Sequence, residues 1–217
     1  MAIPRHAADN PLLGEEGEKQ PVARWRRREV HGLVPNTYGP RTIKFTTTWE
    51  QGRLAMNETD PGWTDIMPVG SGFVVVKDWE KHQETLPPPM KTHGDDVFSV
   101  AVFHQLHCLH FMLKEFNVLY KESSAHSRRD GAHHGHGDHA HEGHGPGSEA
   151  YKHMSHCFDY LRSSLMCCGD SALEGQAAGL EEAGTLGVGS YHVCKNYDAI
   201  RSWAGTSRAS NMEGFSD

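Results

Sequence analysis

The strings HQLHC at residues 104–108 and HMSHC at 153–157 repeat one pattern: two histidines three apart, with a cysteine directly after the second. Each lies in a stretch with helical periodicity. Val97, Val100, Ala101, His104, His107, Cys108 and Phe111 follow the i, i+3, i+4, i+7 spacing of one helical face, which predicts a helix from Asp96 to about Lys121. His153, His156, Cys157, Tyr160, Leu161, Ser164 and Cys168 predict a second helix, starting near Ser148 or Glu149. Residues three apart on a helix are separated by roughly 60° around the axis, and residues four apart by roughly 40° on the other side. Both imidazoles and the thiol of each motif therefore point one way, onto the expected apolar face.

A buried imidazole needs a partner for each ring nitrogen, and a metal ion is one such partner. Two such helices packed together bring four imidazoles toward one another, a donor set suited to copper, zinc or iron. The chain has no CxxC and no HExxH, so the common structural-zinc and metalloprotease spacings are excluded. The competing reading is a pair of helices whose histidines are satisfied by ordinary hydrogen bonds in the core. Duplication of the whole five-residue pattern in one small chain weighs against it.

The five cysteines, Cys108, Cys157, Cys167, Cys168 and Cys194, make an odd count. Two disulfides with one free thiol, or thiolates on a metal, both satisfy it. A thiolate beside two imidazoles is a blue-copper-like set, suited to electron transfer, whereas an oxidising compartment favours cross-links. Disulfides drawn from Cys108, Cys157, Cys167 and Cys194 are the preferred expectation, with the pairing open and Cys168 left over.

Around the motifs the text is uneven. Residues 1–40 are polar, rich in Pro, Gly, Arg and Glu, and read as a disordered tail. From Arg41 the string RTIKFTTTW is strand-like, and GSGFVVVKDW carries a β-branched run that suggests a short strand. LPPPMKTHGDD reads as a stiff extended linker whose acidic end caps the first long helix. Residues 126–147 form a Gly- and His-rich insertion holding His126, His133, His134, His136, His139, His141 and His144. Such a tract binds Ni, Cu or Zn loosely but lacks the rigid scaffold that catalysis needs. A last short helix, Asn196 to about Ala204, carries Tyr197, Ile200 and Trp203, and 206–217 is a flexible tail. The expectation is a mainly α-helical domain over 41–205, built on the two HxxHC helices, with a small extended or β N-terminal part.

Bulk properties narrow the function. A formal charge of −7 gives no support to nucleic-acid binding, and the one basic cluster, RWRRR at Arg24 to Arg28, is short. With 37% hydrophobic residues, the chain suits a packed core of roughly 120–150 residues with looser attachments. No stretch approaches the roughly 20 apolar residues of a membrane helix or the apolar core of a signal peptide, so a soluble chain is expected. Asn57-Glu58-Thr59 is a glycosylation sequon, which makes Asn57 a candidate acceptor if the chain enters the secretory pathway.

Taken in order, GSGFVVV, VFHQLHCLHFM, HMSHCFDYLRSSLMC followed by GDSALE, and YHVCKNYDAIRSW resemble the UstYa-like family of fungal secondary-metabolite oxidases. The resemblance runs from about Gly62 to Trp203. It implies a copper-dependent oxidoreductase, with one or two copper ions and O2 as oxidant. Such an enzyme tailors a peptide or small-molecule natural product, as in mycotoxin biosynthesis, by oxidative cyclisation, hydroxylation, desaturation or halogenation at C–H or phenolic positions. Carried over, the catalytic and metal-binding histidines are His104, His107, His153 and His156. His192 of the closing HxC is a further ligand, and Asp159 a carboxylate that orients an imidazole. A secretory-pathway lumen and a homodimer are implied as well. Family members usually carry one membrane helix after a short cytosolic tail. Here NPLLGEEGE resembles such a tail and RWRRR its basic flank, yet VHGLVPNTYGP follows directly, so the anchor is expected to be absent. The alternative from another class is a non-catalytic metal-binding or metal-delivery protein, resting on the 17 histidines.

Overall fold

The computed structural model describes residues 32–34, 42–45, 55–130 and 148–212. Their elements run in the order α1 (Pro61–Thr64), β1 (Phe73–Val75), a 3-10 turn (Trp79–His82), β2 (Met90–Thr92), β3 (Asp95–Val100), α2 (Ala101–Asp130), α3 (Glu149–Cys168), β4 (Leu173–Glu174) and α4 (Tyr197–Thr206). Two long helices carry the motifs and the strands are short, so the expected mainly α class with a small sheet holds.

β3 is the hub of the sheet. β1 pairs antiparallel along one edge (Phe73↔Ser99, Val75↔Val97), while β2 (Met90↔Val97) and β4 (Ser99↔Glu174) share the other. The stretch expected to be a linker is thus half a hairpin. Thr92 and Asp95 close a two-residue turn whose central residues, His93 at φ 48° and Gly94 at φ 90°, both take the positive φ that a tight hairpin turn requires. Asp95 and Asp96 lie in β3 and cap no helix. Asp96 instead accepts from Trp79 Nε1 at 3.1 Å and from Lys91 Nζ at 2.6 Å.

The first long helix starts five residues later than its periodicity predicts, at Ala101. Val97 and Val100 satisfy helical spacing, but the run Val97–Val100 is also β-branched and aromatic, and pairing on both edges decides for strand. The chain passes from β3 into α2 without a loop. The first backbone N–H groups of α2 find acceptors outside the helix, Ala101 N on Ala172 O at 2.9 Å and Val102 N on Asp170 O at 2.8 Å. The segment returning from α3 thereby satisfies donors that every helix start leaves open. α2 continues to Asp130, past the expected end near Lys121 and through the expected start of the insertion at 126.

α3 matches its expectation. Ser148 caps it by accepting from Tyr151 N at 3.2 Å, and Gly169 ends it in the left-handed conformation. α4 begins at its Asn196 cap, but Tyr197, Ile200 and Trp203 are exposed rather than packed.

The core has two parts. Met56, Trp63, Leu109, Leu113 and Phe158 pack where α2 meets α3, and Leu86, Phe98, Val100 and Leu173 pack beneath the sheet. The expected tail (1–40) lies outside the described residues apart from 32–34, as does the His-rich stretch 131–147. Of RTIKFTTTW, residues 42–45 are described and form no strand. Among the described residues no helix is long and apolar enough to cross a membrane.

Candidate functional site

The α2–α3 seam is built from Leu109 and Leu113 on one helix and Phe158 on the other. At about 100° of turn per residue, His107 lies roughly 160° around α2 from Leu109, and His156 roughly 160° around α3 from Phe158. The motif faces are therefore not the apolar faces, contrary to the expectation from spacing alone. Phe111, counted with the motif face, is 54% exposed, whereas Leu106, Leu109 and Leu113 are buried.

What the α2 motif faces instead is a cavity of about 730 Å³, within the size range of small-molecule sites. α2 contributes Phe103, His104, Leu106, His107 and His110 to its wall. Opposite them stand Trp63 of α1, Ile66 and Met67 just after it, Phe73 of β1, Met90 of β2 and the loop Ala183–Thr185. Among the described residues, Glu58 and Asp60 are, apart from the histidines, the ionisable side chains on the wall, and no Lys or Arg lines it.

His104 is the most firmly held of the wall histidines. Its Nδ1 lies 2.6 Å from Oε2 of Glu174, whose side chain is only 3% exposed. His110 Nε2 donates to the carbonyl of Glu58 at 2.8 Å, and its ring lies against Trp63. His110 went unmarked in the sequence reading, although HQLHCLH carries His104, His107 and His110 at one spacing. The Glu58 carboxyl is held below its usual range. Its backbone amide is the main cause and Asn117, Lys121 and His110 add to it, with burial opposing.

His153 and His156 are exposed on α3 and do not line this cavity; His156 stacks on Tyr160 at 5.9 Å. His192 pairs through Nδ1 with Asp170 at 2.8 Å, away from the cavity wall. Asp159 is buried and accepts from Arg162 at 2.8 Å, and that guanidinium lies over the Trp63 ring. In the described contacts, the carboxylates that meet imidazoles are Glu174 and Asp170 in the GDSALE stretch. Sequence reasoning used that stretch only as a landmark.

All five cysteines are free, so the disulfides expected among Cys108, Cys157, Cys167 and Cys194 are not formed in this structure. Cys108 and Cys157 each sit one residue, about 100° of turn, from a seam residue, Cys108 exposed and Cys157 half-buried. Asn57 of the sequon is exposed, and its Oδ1 accepts from Thr59 N at 3.2 Å and Thr59 Oγ1 at 2.8 Å.

The donor chemistry suits a metal in kind and falls short in number. A ligating imidazole usually gives its second nitrogen to a carboxylate, as His104 gives Nδ1 to Glu174. Yet among the described residues no group of three or more His, Cys, Asp or Glu side chains is gathered closely enough to hold a metal ion.

Comparison with known proteins places these features in a family. Residues 39–207 match the family model described as mycotoxin biosynthesis protein UstYa. The chain is 43% identical to oxidase ustYb of Aspergillus flavus over 189 residues, covering 83% of this chain and 71% of that one. It is 29% identical to UstYa family oxidase phomYb of Diaporthe leptostromiformis, with 82% of this chain and 61% of that protein covered. Hydroxylase cctR of Talaromyces islandicus is 25% identical, with 79% and 58% covered. The chain thus spans less than two thirds of the length of the last two. No solved structure matches. By the family match over most of its length, the chain belongs to the UstYa family of mycotoxin biosynthesis proteins.

Proposed function

We propose that this chain is an oxidative tailoring enzyme of fungal natural-product biosynthesis, and that the α2 cavity is where its substrate is oxidised. One observation carries the proposal: a largely apolar cavity of about 730 Å³ whose α2 wall presents His104, His107 and His110. Relatives named as oxidases and a hydroxylase support the reaction class.

Copper is the proposed cofactor; among the described residues His104 and His107 are the side chains that would hold it at this wall, and it would supply one-electron chemistry with O2 as oxidant. The remaining work falls to the chain. Trp63, Phe73, Phe103 and Leu106 hold the hydrocarbon part of a small molecule or peptide and keep water from the reacting position. Glu58 and Asp60, with no Lys or Arg on the wall among the described residues, disfavour anionic groups at that end. The substrate position oxidised is a C–H or phenolic O–H, with cyclisation, hydroxylation, desaturation or halogenation as the outcome.

Metal analysis after dialysis against a chelator tests the cofactor. The full chain is expected to retain copper in stoichiometric amount, and the double variant His104→Ala/His107→Ala to lose one equivalent. Equal copper in both proteins contradicts the assignment to this wall, whatever the His-rich stretch binds.

A further inference from the structure

We propose that Glu174 is a positioning residue. It holds His104 as the tautomer with its proton on Nδ1, leaving the Nε2 lone pair free on the cavity side. The proposal rests on the oxidase reading of the cavity, which gives a free Nε2 its use.

Glu174 sits in the two-residue strand β4, where pairing with Ser99 of β3 fixes its backbone. Its carboxylate is buried, and it is not itself on the cavity wall. A buried carboxylate is costly unless hydrogen-bonded. The described partners are two, both on Oε2: His104 Nδ1 at 2.6 Å and Thr185 Oγ1 at 3.3 Å. No Lys or Arg pairs with it among the described residues. On the other side, the loop backbone closes in so tightly that a Cβ on Gly187 would lie 3.3 Å from Oε1.

With Glu174 as a carboxylate, which only accepts, the proposal puts the hydrogen of the 2.6 Å contact on Nδ1. In a neutral ring that leaves Nε2 bare, able to bind a cation or take a proton. The same carboxylate reaches Thr185, which lines the opposite wall. One buried group thus sets the imidazole on α2 and ties down the loop facing it. Glu174 acts through His104 and touches no substrate.

The tautomer can be read without any assay of function. Histidine nitrogens of the 15N-labelled full chain are observed in the presence of a chelator, with the His104 signals assigned by their loss in His104→Ala. The wild type is expected to show a protonated Nδ1 and a bare Nε2. Glu174→Gln, which keeps an acceptor oxygen in place, should retain that pattern. Glu174→Leu keeps bulk without an acceptor and should shift the proton toward Nε2. Turnover should follow the tautomer, with a loss of roughly tenfold or more in Glu174→Leu and a smaller one in Glu174→Gln. A merely structural Glu174 would leave the tautomer the same in both variants. A wild-type His104 protonated on Nε2 overturns the proposal even if Glu174→Leu does not fold, and so does an unchanged tautomer in a folded Glu174→Leu. A correct tautomer in a chain without oxidase activity sinks the functional reading and leaves this one standing.

Discussion

The carboxylate of Asp170 accepts from His192 Nδ1 at 2.8 Å and from Gln105 Nε2 at 3.2 Å, on the same oxygen. Its other oxygen accepts from Ala172 N at 3.1 Å, and its backbone carbonyl accepts from Val102 N. One residue therefore joins the start of α2, the approach to β4 and the closing YHVC segment. Asp170→Ala is expected to lower stability by about 2 kcal/mol, since it strips several donors of their acceptor in a partly buried place. Urea unfolding followed by circular dichroism measures this. No change in midpoint would mean that these bonds contribute nothing net.

Gly175 follows Glu174 and lies against the proline run. A Cβ there would stand 2.0 Å from the Pro88 carbonyl oxygen and 3.0 Å from Pro87 Cγ. Backbone must move to admit it, so Gly175→Ala is expected to cost about 3 kcal/mol. Gly205 in α4 has, among the described residues, no atom beyond its own helix within 4 Å of an added Cβ, and Gly205→Ala should cost nothing. Comparing the two unfolding curves separates a close contact from a general intolerance of alanine.

The seam makes a contrasting prediction for the two faces of α2 and α3. Leu113 is 0% exposed, and Leu113→Ala should cost about 2–5 kcal/mol. His153→Ala and His156→Ala remove exposed side chains, so stability should stay within about 0.5 kcal/mol of wild type. Large destabilisation by the histidine variants would put their faces in the core after all.

Much of this architecture can be read from local signals. Ser148, Gly169 and Asn196 mark helix ends through caps, whose chemistry involves residues only a few positions apart. GSGFVVV announces β1 because β-branched residues follow glycines that a turn needs. The failures share one cause, competition decided at long range. Val97 and Val100 fit a helical face by count, and the strand wins only because β1, β2 and β4 all converge on β3. The HxxHC faces looked buried because apolar residues share their spacing, but Leu106, Leu109 and Leu113 form a second stripe, and that stripe packs. Glu174 stands 70 residues from His104, and no spacing rule connects them.

Glu58 gives the pH dependence its sign. Its folded carboxyl titrates below its unfolded value, so its stabilising contribution is complete above the ordinary carboxylate range and is lost as pH falls through the depressed folded value. Wild-type stability should therefore decline in that acid window, and Glu58→Gln should decline less steeply there. Stability curves from neutral to acid pH decide the matter. Parallel curves for the two proteins would show that Glu58 is not preferentially ionised in the fold.

The central claim is that the α2 wall of the cavity carries out the oxidation. Its most direct test is product formation by mass spectrometry, in cells that make the precursor metabolite and express either the wild-type chain or His107→Ala. His107 lines the cavity from an exposed position on α2, so its loss should leave the chain folded. Wild type is expected to convert the precursor, and His107→Ala, present at the same level, to lose conversion by more than about 100-fold. Conversion by His107→Ala at the wild-type rate would contradict the assignment of the oxidation to this wall.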